Sequence, residues 1–289
     1  MKNIIDAIIN LVNISTEEIK EVSKSSNKMN SRGDNLEEFI KDLFAGTFND
    51  DKEERNEKIS EVFSYLGNSS NPPDIMLKNG DAIEVKKIEV SKNKDIKAEL
   101  QLNSSYPKEK LYSDSTMISK NCKEAEEWTE KDMLYVIGAI GKEAKRNNLH
   151  SLFFVYGSEY AAEENTYIKI KNLISSTLES TPGLELAKTN EIARVNKVDP
   201  LGITSLRVRG MWLIKNPWVV FDYIYERDKE KDFNFCAIIN EEKYNTFNNK
   251  NLLEELSRKD TRLKIEDKNI KNPNNPAKLI KVKLITFLK

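Results

Sequence analysis

The chain has 289 residues, with 46 basic side chains against 47 acidic ones and a formal net charge of −1, enough for one large domain or two small ones. Apolar residues make up 38% and charged residues 32%, a polar balance that still supplies a core and excludes disorder throughout. Near-zero net charge excludes a protein that coats nucleic acid by bulk electrostatics. No stretch approaches the roughly 18 apolar residues of a membrane span.

The single histidine, His150, excludes chemistry built on paired histidines within one subunit. Two cysteines, Cys122 and Cys236, cannot make a disulfide framework, so a reducing cytoplasm is the expected location. Gly138-Ala-Ile-Gly141-Lys142 lacks the spacing and the Ser/Thr of a phosphate loop and reads as a strand ending in a glycine turn.

In chain order, Ile4, Ile5, Ile8, Ile9 and Val12 share one side of a helix over residues 2–12, which has no signal-peptide cleavage site. A polar loop is expected from Glu21 to Gly33. Asp34 then reads as the N-cap of a helix from Asn35 to Ala45, with Leu36, Phe39, Ile40 and Leu43 as its apolar stripe. The charge run from Asn49 to Lys58 reads as a solvated loop or helix face. After Pro72-Pro73, two short apolar runs flank Asn79-Gly80, a hairpin signal. Further strands are expected at Met133–Ala139 and Leu152–Tyr156, with a helix at Tyr167–Leu178. Strand-like runs follow at Ser205–Ile214, Trp218–Tyr225, Phe235–Ile239 and Leu279–Leu288. No repeat or sharp linker divides the chain.

The hairpin register follows from its faces. A two-residue turn would set Ile75 against Glu84 and mix polar with apolar side chains. A three-residue turn, Lys78-Asn79-Gly80, pairs Leu77–Asp81, Met76–Ala82, Ile75–Ile83 and Asp74–Glu84, with Gly80 at the left-handed position. Ile75, Ile83 and Val85 then share one face, and Asp74, Glu84 and Lys86 share the other. Carboxylates held that close repel unless a cation sits between them. Mg²⁺, which takes hard oxygen ligands, suits the pair. Lys86 would position or help deprotonate an attacking water, or balance charge on a phosphate. Metal-assisted phosphodiester hydrolysis fits this set, but Pro-Asp followed by Glu-x-Lys also suits an edge hairpin with surface charges. Glu37, at the start of the preceding helix, would reach the metal or serve as an ordinary first-turn acid.

Pro73-Asp74, Glu84-x-Lys86 and the upstream Gly33-x-x-Leu36-Glu37 resemble the PD-(D/E)xK nuclease superfamily. The stretches Phe63-Ser-Tyr-Leu-Gly-Asn, Ser69-Ser-Asn-Pro-Pro-Asp74, Gly80-Asp-Ala-Ile-Glu-Val-Lys-Lys, Leu206-Arg-Val-Arg-Gly-Met-Trp212 and Lys271-Asn-Pro-Asn-Asn-Pro-Ala277 resemble the NgoPII-type type II restriction endonucleases, nearly end to end. The resemblance implies an α/β fold, a mixed sheet flanked by helices with a C-terminal strand-rich elaboration. It implies a single nuclease domain over 1–289, with a catalytic core over about 30–180 and DNA recognition over about 190–289. It further implies a Mg²⁺-dependent homodimer, paired with a cognate methyltransferase, that cuts double-stranded DNA at GGCC and leaves 5′-phosphate ends. Asp74 and Glu84, with the main-chain carbonyl near Val85, would be metal ligands, Lys86 the catalytic lysine, and Glu37 a further ligand.

For DNA reading, strand alternation over Leu206-Arg207-Val208-Arg209 would bury Leu206 and Val208 and present both arginines, with Arg194 nearby. Arginine bidentate to guanine is the commonest specific base contact; phosphate contact or an ion pair with an acid is the alternative. Lys87, Lys92, Lys94 and Lys97 are phosphate-contact candidates or a solvated loop. Asn274 and Asn275, in the Asn272–Pro276 turn, suit a groove contact or simply connect elements. Trp212, Trp218 and Cys236 read as core. The rivals to a site-specific nuclease are a non-catalytic DNA-binding module and a structure-specific repair nuclease.

Overall fold

The computed structural model describes residues 1–14, 31–68, 71–90, 99–103, 105–141, 149–189 and 191–289, with the side chains of residues 31–35, 68 and 103 excepted. Among the described residues the first helices are α1 (Ile4–Asn13), α2 (Ser31–Ala45) and α3 (Lys52–Val62). Strands β1 (Phe63–Asn68), β2 (Asn71–Leu77), β3 (Ala82–Val90), β4 (Leu100–Asn103) and β5 (Lys110–Tyr112) follow, then the short helix α4 (Lys120–Lys123). β6 (Glu130–Gly141) and β7 (Leu149–Tyr156) lead into α5 (Gly157–Tyr160) and α6 (Glu164–Glu179). β8 (Glu185–Leu186), β9 (Ala193–Asn196), β10 (Leu206–Val208) and β11 (Met211–Ile214) come next. The chain ends with α7 (Pro217–Val220), β12 (Asn234–Asn240), α8 (Glu241–Thr246), α9 (Lys250–Lys259), β13 (Leu263–Asn272) and β14 (Asn275–Leu288).

A mixed sheet in the order β1-β2-β3-β6-β7-β12-β14-β13 forms the centre. β3 runs parallel to β6, and β7 parallel to β12; the other neighbours along that path are antiparallel. Three of its strands therefore come from the last third of the sequence. Two smaller sheets, β10-β9-β8 and β11-β4, stand off it.

Each face of the sheet has its own apolar layer. Ile75, Ile83, Val85, Leu134 and Val136 meet Ile4, Ile8, Leu36, Ile40 and Leu43 from α1 and α2 on one side. Met76, Ala82, Ile88, Tyr135 and Ile137 meet Leu100, Trp218 and Phe221 on the other. The side chains of Ile4, Ile5, Ile8 and Leu11 are fully buried, each worth about 1.5–3 kcal/mol. Asn3 starts α1 with a reciprocal capping box to Asp6, so cap and stripe agree on where it begins.

The structure departs from sequence expectation at several places. α2 starts at Ser31, so Arg32 and Gly33 are helical and Asp34 lies within the first turn rather than capping it, a position where an acid also suits the helix dipole. The stretch expected as a strand at Trp218–Tyr225 instead opens with α7: Asn216 Oδ1 accepts the Trp218 N–H at 3.1 Å and Pro217 takes the first helical turn, which commits the chain to a helix. The charge run, by contrast, forms α3, capped by Asp51 and exposed over most of residues 51–58, the solvated helix face that is one of its two expected forms. Lys92, Lys94, Lys97, Lys142 and the expected loop as far as residue 30 lie outside the described residues.

Candidate active site

The hairpin of β2 and β3 adopts the three-residue-turn register: Ile75 pairs with Ile83 and Met76 with Ala82, and the Leu77 N–H donates to the Asp81 carbonyl at 3.0 Å. The left-handed residue of the turn is Asn79, at φ +56°, not Gly80; asparagine tolerates that region at modest cost. The turn is held from outside. Lys131, only 6% exposed, donates to the Gly80 carbonyl at 2.7 Å and the Leu77 carbonyl at 3.2 Å and pairs with Glu126. Glu126 in turn accepts the Asn79 N–H at 2.8 Å.

Beyond Ile75–Ile83 the ladder gives way to a side chain. Asp74 Oδ2 accepts the Val85 N–H at 2.7 Å, so a carboxylate stands where a main-chain carbonyl would close the pair. β1 crosses close by: a Cβ on Gly67 would lie 2.3 Å from the Pro73 carbonyl oxygen, a contact only glycine permits. Strand alternation puts Asp74, Glu84 and Lys86 on the face that carries Met76, Ala82 and Ile88. Glu84 lies opposite Tyr135 and Lys86 opposite Ile137 in the β3–β6 ladder.

The site is electrostatically loaded. Burial, and then the Glu84 carboxylate, push the Asp74 carboxyl up to about 7, against the opposing pull of Lys86 and the Val85 N–H. Lys86 Nζ donates to Glu84 Oε1 at 2.6 Å. Burial disfavours its charge, but Glu84 and Asp74 outweigh that and raise its pKa. Glu84 Oε2 is buried and has no hydrogen-bond partner. Glu37 acts on both Asp74 and Lys86 through its charge.

Among the described residues no group of three or more His, Cys, Asp or Glu converges as a metal cage. The donors nevertheless fit a hard divalent cation that keeps part of its coordination for water and phosphate. Two carboxylates repel at close range, and one carboxylate oxygen is buried without a partner. Val85 buries its side chain on the opposite face and gives its N–H to Asp74. A concavity of about 510 Å³, lined by Tyr225, Lys231, Arg262 and Lys264 among others, holds none of these residues; the chemistry lies elsewhere.

The arginines expected to read DNA do come together. Arg194 on β9 is directly opposite Arg207 on β10, and all of Arg194, Arg207 and Arg209 are exposed. Opposed like charges destabilise a strand pair, and Glu191 offsets them. Arg207 Nε and Nη2 donate to its two oxygens at 3.0 and 2.6 Å, and Arg209 Nε donates to the same carboxylate. These bonds hold the Glu191 carboxyl down to about 2. Leu206 is not buried as alternation suggested but 51% exposed, although its partner Val195 on β9 is buried. Lys87 points away from Lys86 along the strand and lies 3.5 Å from Glu89. Asn274 Oδ1 accepts the Glu163 N–H at 2.7 Å, tying the β13–β14 turn to the start of α6. Asn275, the first residue of β14 after that turn, is exposed.

Sequence reasoning missed Glu191 and a second buried lysine, Lys108, which is 7% exposed. Neither sits in a motif. One acid or one lysine among so many charged residues carries no signal until the fold places it.

No solved structure matches the chain. The model of the NgoPII restriction endonuclease family matches residues 2–271. The type II restriction enzyme NgoPII of Neisseria gonorrhoeae is 54% identical over 285 residues, covering 99% of each chain. The chain belongs to the NgoPII restriction endonuclease family.

Proposed function

We propose that this member of a restriction endonuclease family hydrolyses double-stranded DNA at a short palindrome, GGCC, with Mg²⁺ as cofactor, and leaves 5′-phosphate ends. The observation that carries the reading is the hairpin itself. Asp74, Glu84 and Lys86 share one face of a rigid pair of strands, and Glu84 Oε2 is buried there without a partner. This arrangement supports a PD-(D/E)xK core, in which β2 and β3 would be the catalytic strands.

Asp74 and Glu84 would hold the cation, with the Val85 carbonyl and Glu37 as further oxygen donors. Bound there, Mg²⁺ supplies positive charge to the scissile phosphate and makes water a better nucleophile at neutral pH. Lys86 remains charged against Glu84 and, by giving part of its hydrogen bonding to a water, aligns that water for attack opposite the leaving oxygen. Arg194, Arg207 and Arg209 present guanidinium groups suited to guanine, and their exchange of Glu191 for base edges or phosphates would couple binding to recognition. Lys87 and the Asn274–Asn275 turn are backbone and groove contacts in this reading. A palindrome calls for a two-fold homodimer, each protomer reading one half-site. A cytoplasmic enzyme of this kind requires a cognate methyltransferase to protect host DNA.

The test is digestion of unmethylated phage DNA by purified protein, with Mg²⁺ and with EDTA. Discrete fragments with Mg²⁺ alone, ending at GGCC, are expected. Smearing would replace site-specific cutting with a structure-specific or repair activity. Intact DNA that shifts on a gel would leave a binding module.

A further inference from the structure

Lys108 lies between β4 and β5, and its main chain is fixed against the catalytic face of the sheet. Its N–H donates to Tyr135 Oη at 2.7 Å, and Tyr135 is the residue opposite Glu84 in the β3–β6 ladder. On the other side the chain passes over Gly157, where a Cβ would lie 2.1 Å from the Lys108 carbonyl oxygen and 2.7 Å from Glu109 Cα. The Glu109 carbonyl accepts the Met133 N–H at 3.1 Å. The position of Lys108 is therefore set without help from its charge.

The side chain is just as confined. It is 7% exposed, and its ammonium lies over the Tyr106 ring, 4.1 Å from the centroid. That ring is itself wedged. It stacks on Tyr167 at 5.5 Å, meets Trp212 edge-on at 6.2 Å, and its hydroxyl donates to Glu164. Such a contact attracts a cation but satisfies none of its N–H groups. Among the described residues the Lys108 ammonium donates no hydrogen bond and forms no ion pair. Glu84, whose charge acts on Lys108, is already bonded to Lys86. Burial lowers the Lys108 pKa, while the charges of Glu164 and Glu84 work against that.

A confined ammonium with unused donors is costly in the free protein, and an anion entering beside Glu84 would relieve the cost. We propose that Lys108 is a second lysine of the active site, and that its ammonium binds a phosphate oxygen of the DNA strand being cut. The contact would complement the cation between Asp74 and Glu84: the carboxylates hold metal, and Lys108 holds the polyanion they would otherwise repel. The Tyr106–Tyr167–Trp212 cluster serves as the shelf that keeps the lysine in place.

This inference rests on the nuclease reading, and the two fail separately. Binding of a GGCC duplex in EDTA is measured as a function of salt for the wild-type protein and for Lys108→Met, Lys108→Gln and Lys108→Arg. Each lost phosphate contact should make the slope of log Kobs against log[salt] shallower by about 0.9. The Met and Gln variants should show that loss for each subunit bound, and the Arg variant should keep the wild-type slope. Weaker binding with an unchanged slope would overturn the proposal. Neutral variants that both fail to fold would also overturn it, by assigning the ammonium to stability. Wild-type protein that binds the duplex but cuts nothing would overturn the nuclease reading, while the slopes would still decide whether Lys108 meets phosphate.

Discussion

The β2–β3 hairpin, the proposed catalytic site, and the arginine strand solve opposite problems with the same kind of group. In the hairpin, two half-buried acids lie close together with Lys86 bonded to one of them, and the turn that joins their strands is pinned by Lys131 and Glu126. On β10 and just past it, Arg207 and Arg209 are exposed, and a single side chain, Glu191, holds both. A cofactor site benefits from rigidity, because its ligands must be in place before the metal arrives. The proposed recognition surface would benefit from a partner that can be exchanged, because bonds to Glu191 could be replaced by bonds to DNA with little net loss. Glu191 presents two carboxylate oxygens to Arg207 much as a guanine edge presents O6 and N7.

Replacing the acid of the rigid region should have the largest effect. Asp74→Asn is expected to reduce cleavage by roughly 1000-fold, equivalent to ~4 kcal/mol of lost transition-state stabilisation, while a gel shift with the cognate duplex persists. Full activity in this variant would end the contrast, since the hairpin would then be ordinary structure. On the exposed side, Arg207→Ala and Arg209→Ala should each lose about 1–3 kcal/mol of discrimination between GGCC and a one-base mismatch, read as a ratio of binding constants. Equal losses on matched and mismatched duplexes would reassign the arginines to phosphate.

A third carboxylate sharpens the comparison by separating burial from catalysis. Glu159 is 2% exposed, with one oxygen lacking a partner, and burial pushes its carboxyl up to about 7. Its folded-state pKa is raised, so the native state binds the proton more tightly than the unfolded chain. That contribution is complete below the unfolded value near 4.5 and is lost as pH rises through about 7. Glu159→Gln should therefore gain up to about 3 kcal/mol over wild type at pH 8 relative to the same comparison at pH 4, measured by urea unfolding. Cleavage rate should not change; a large loss of activity would mean that this acid too serves the site. The smallest effect is expected from Glu191→Gln. Freed of the carboxylate, the arginines should bind nonspecific duplex a few-fold more tightly. Unchanged nonspecific affinity would remove Glu191 as their counter-charge.

Much of the hairpin was legible because its information is local. Alternating Ile and Val, a turn dipeptide and a polar triad leave only one register that segregates the faces, and Ile75–Ile83 pairs accordingly. The cap of α2 and the helix at Pro217 were misread for the same reason in reverse. Asp34 satisfies the composition of a cap wherever the helix begins, and Trp218–Tyr225 has the apolar composition of a strand although Asn216 and Pro217 start a helix.

What the sequence determined by itself was the family, through motifs spread from Phe63 to Ala277, and the identity of the hairpin triad, because neighbours along strands point by parity alone. What only the tertiary structure decided were contacts between segments far apart in the chain: Lys108 beside Tyr135 and the field of Glu84, Lys131 under the hairpin turn, and Asn274 on the start of α6. Strand parity is a property of covalent geometry and can be counted from residue to residue. Which buried lysine finds an acceptor and which does not depends on how whole elements pack, and no spacing in the sequence records that.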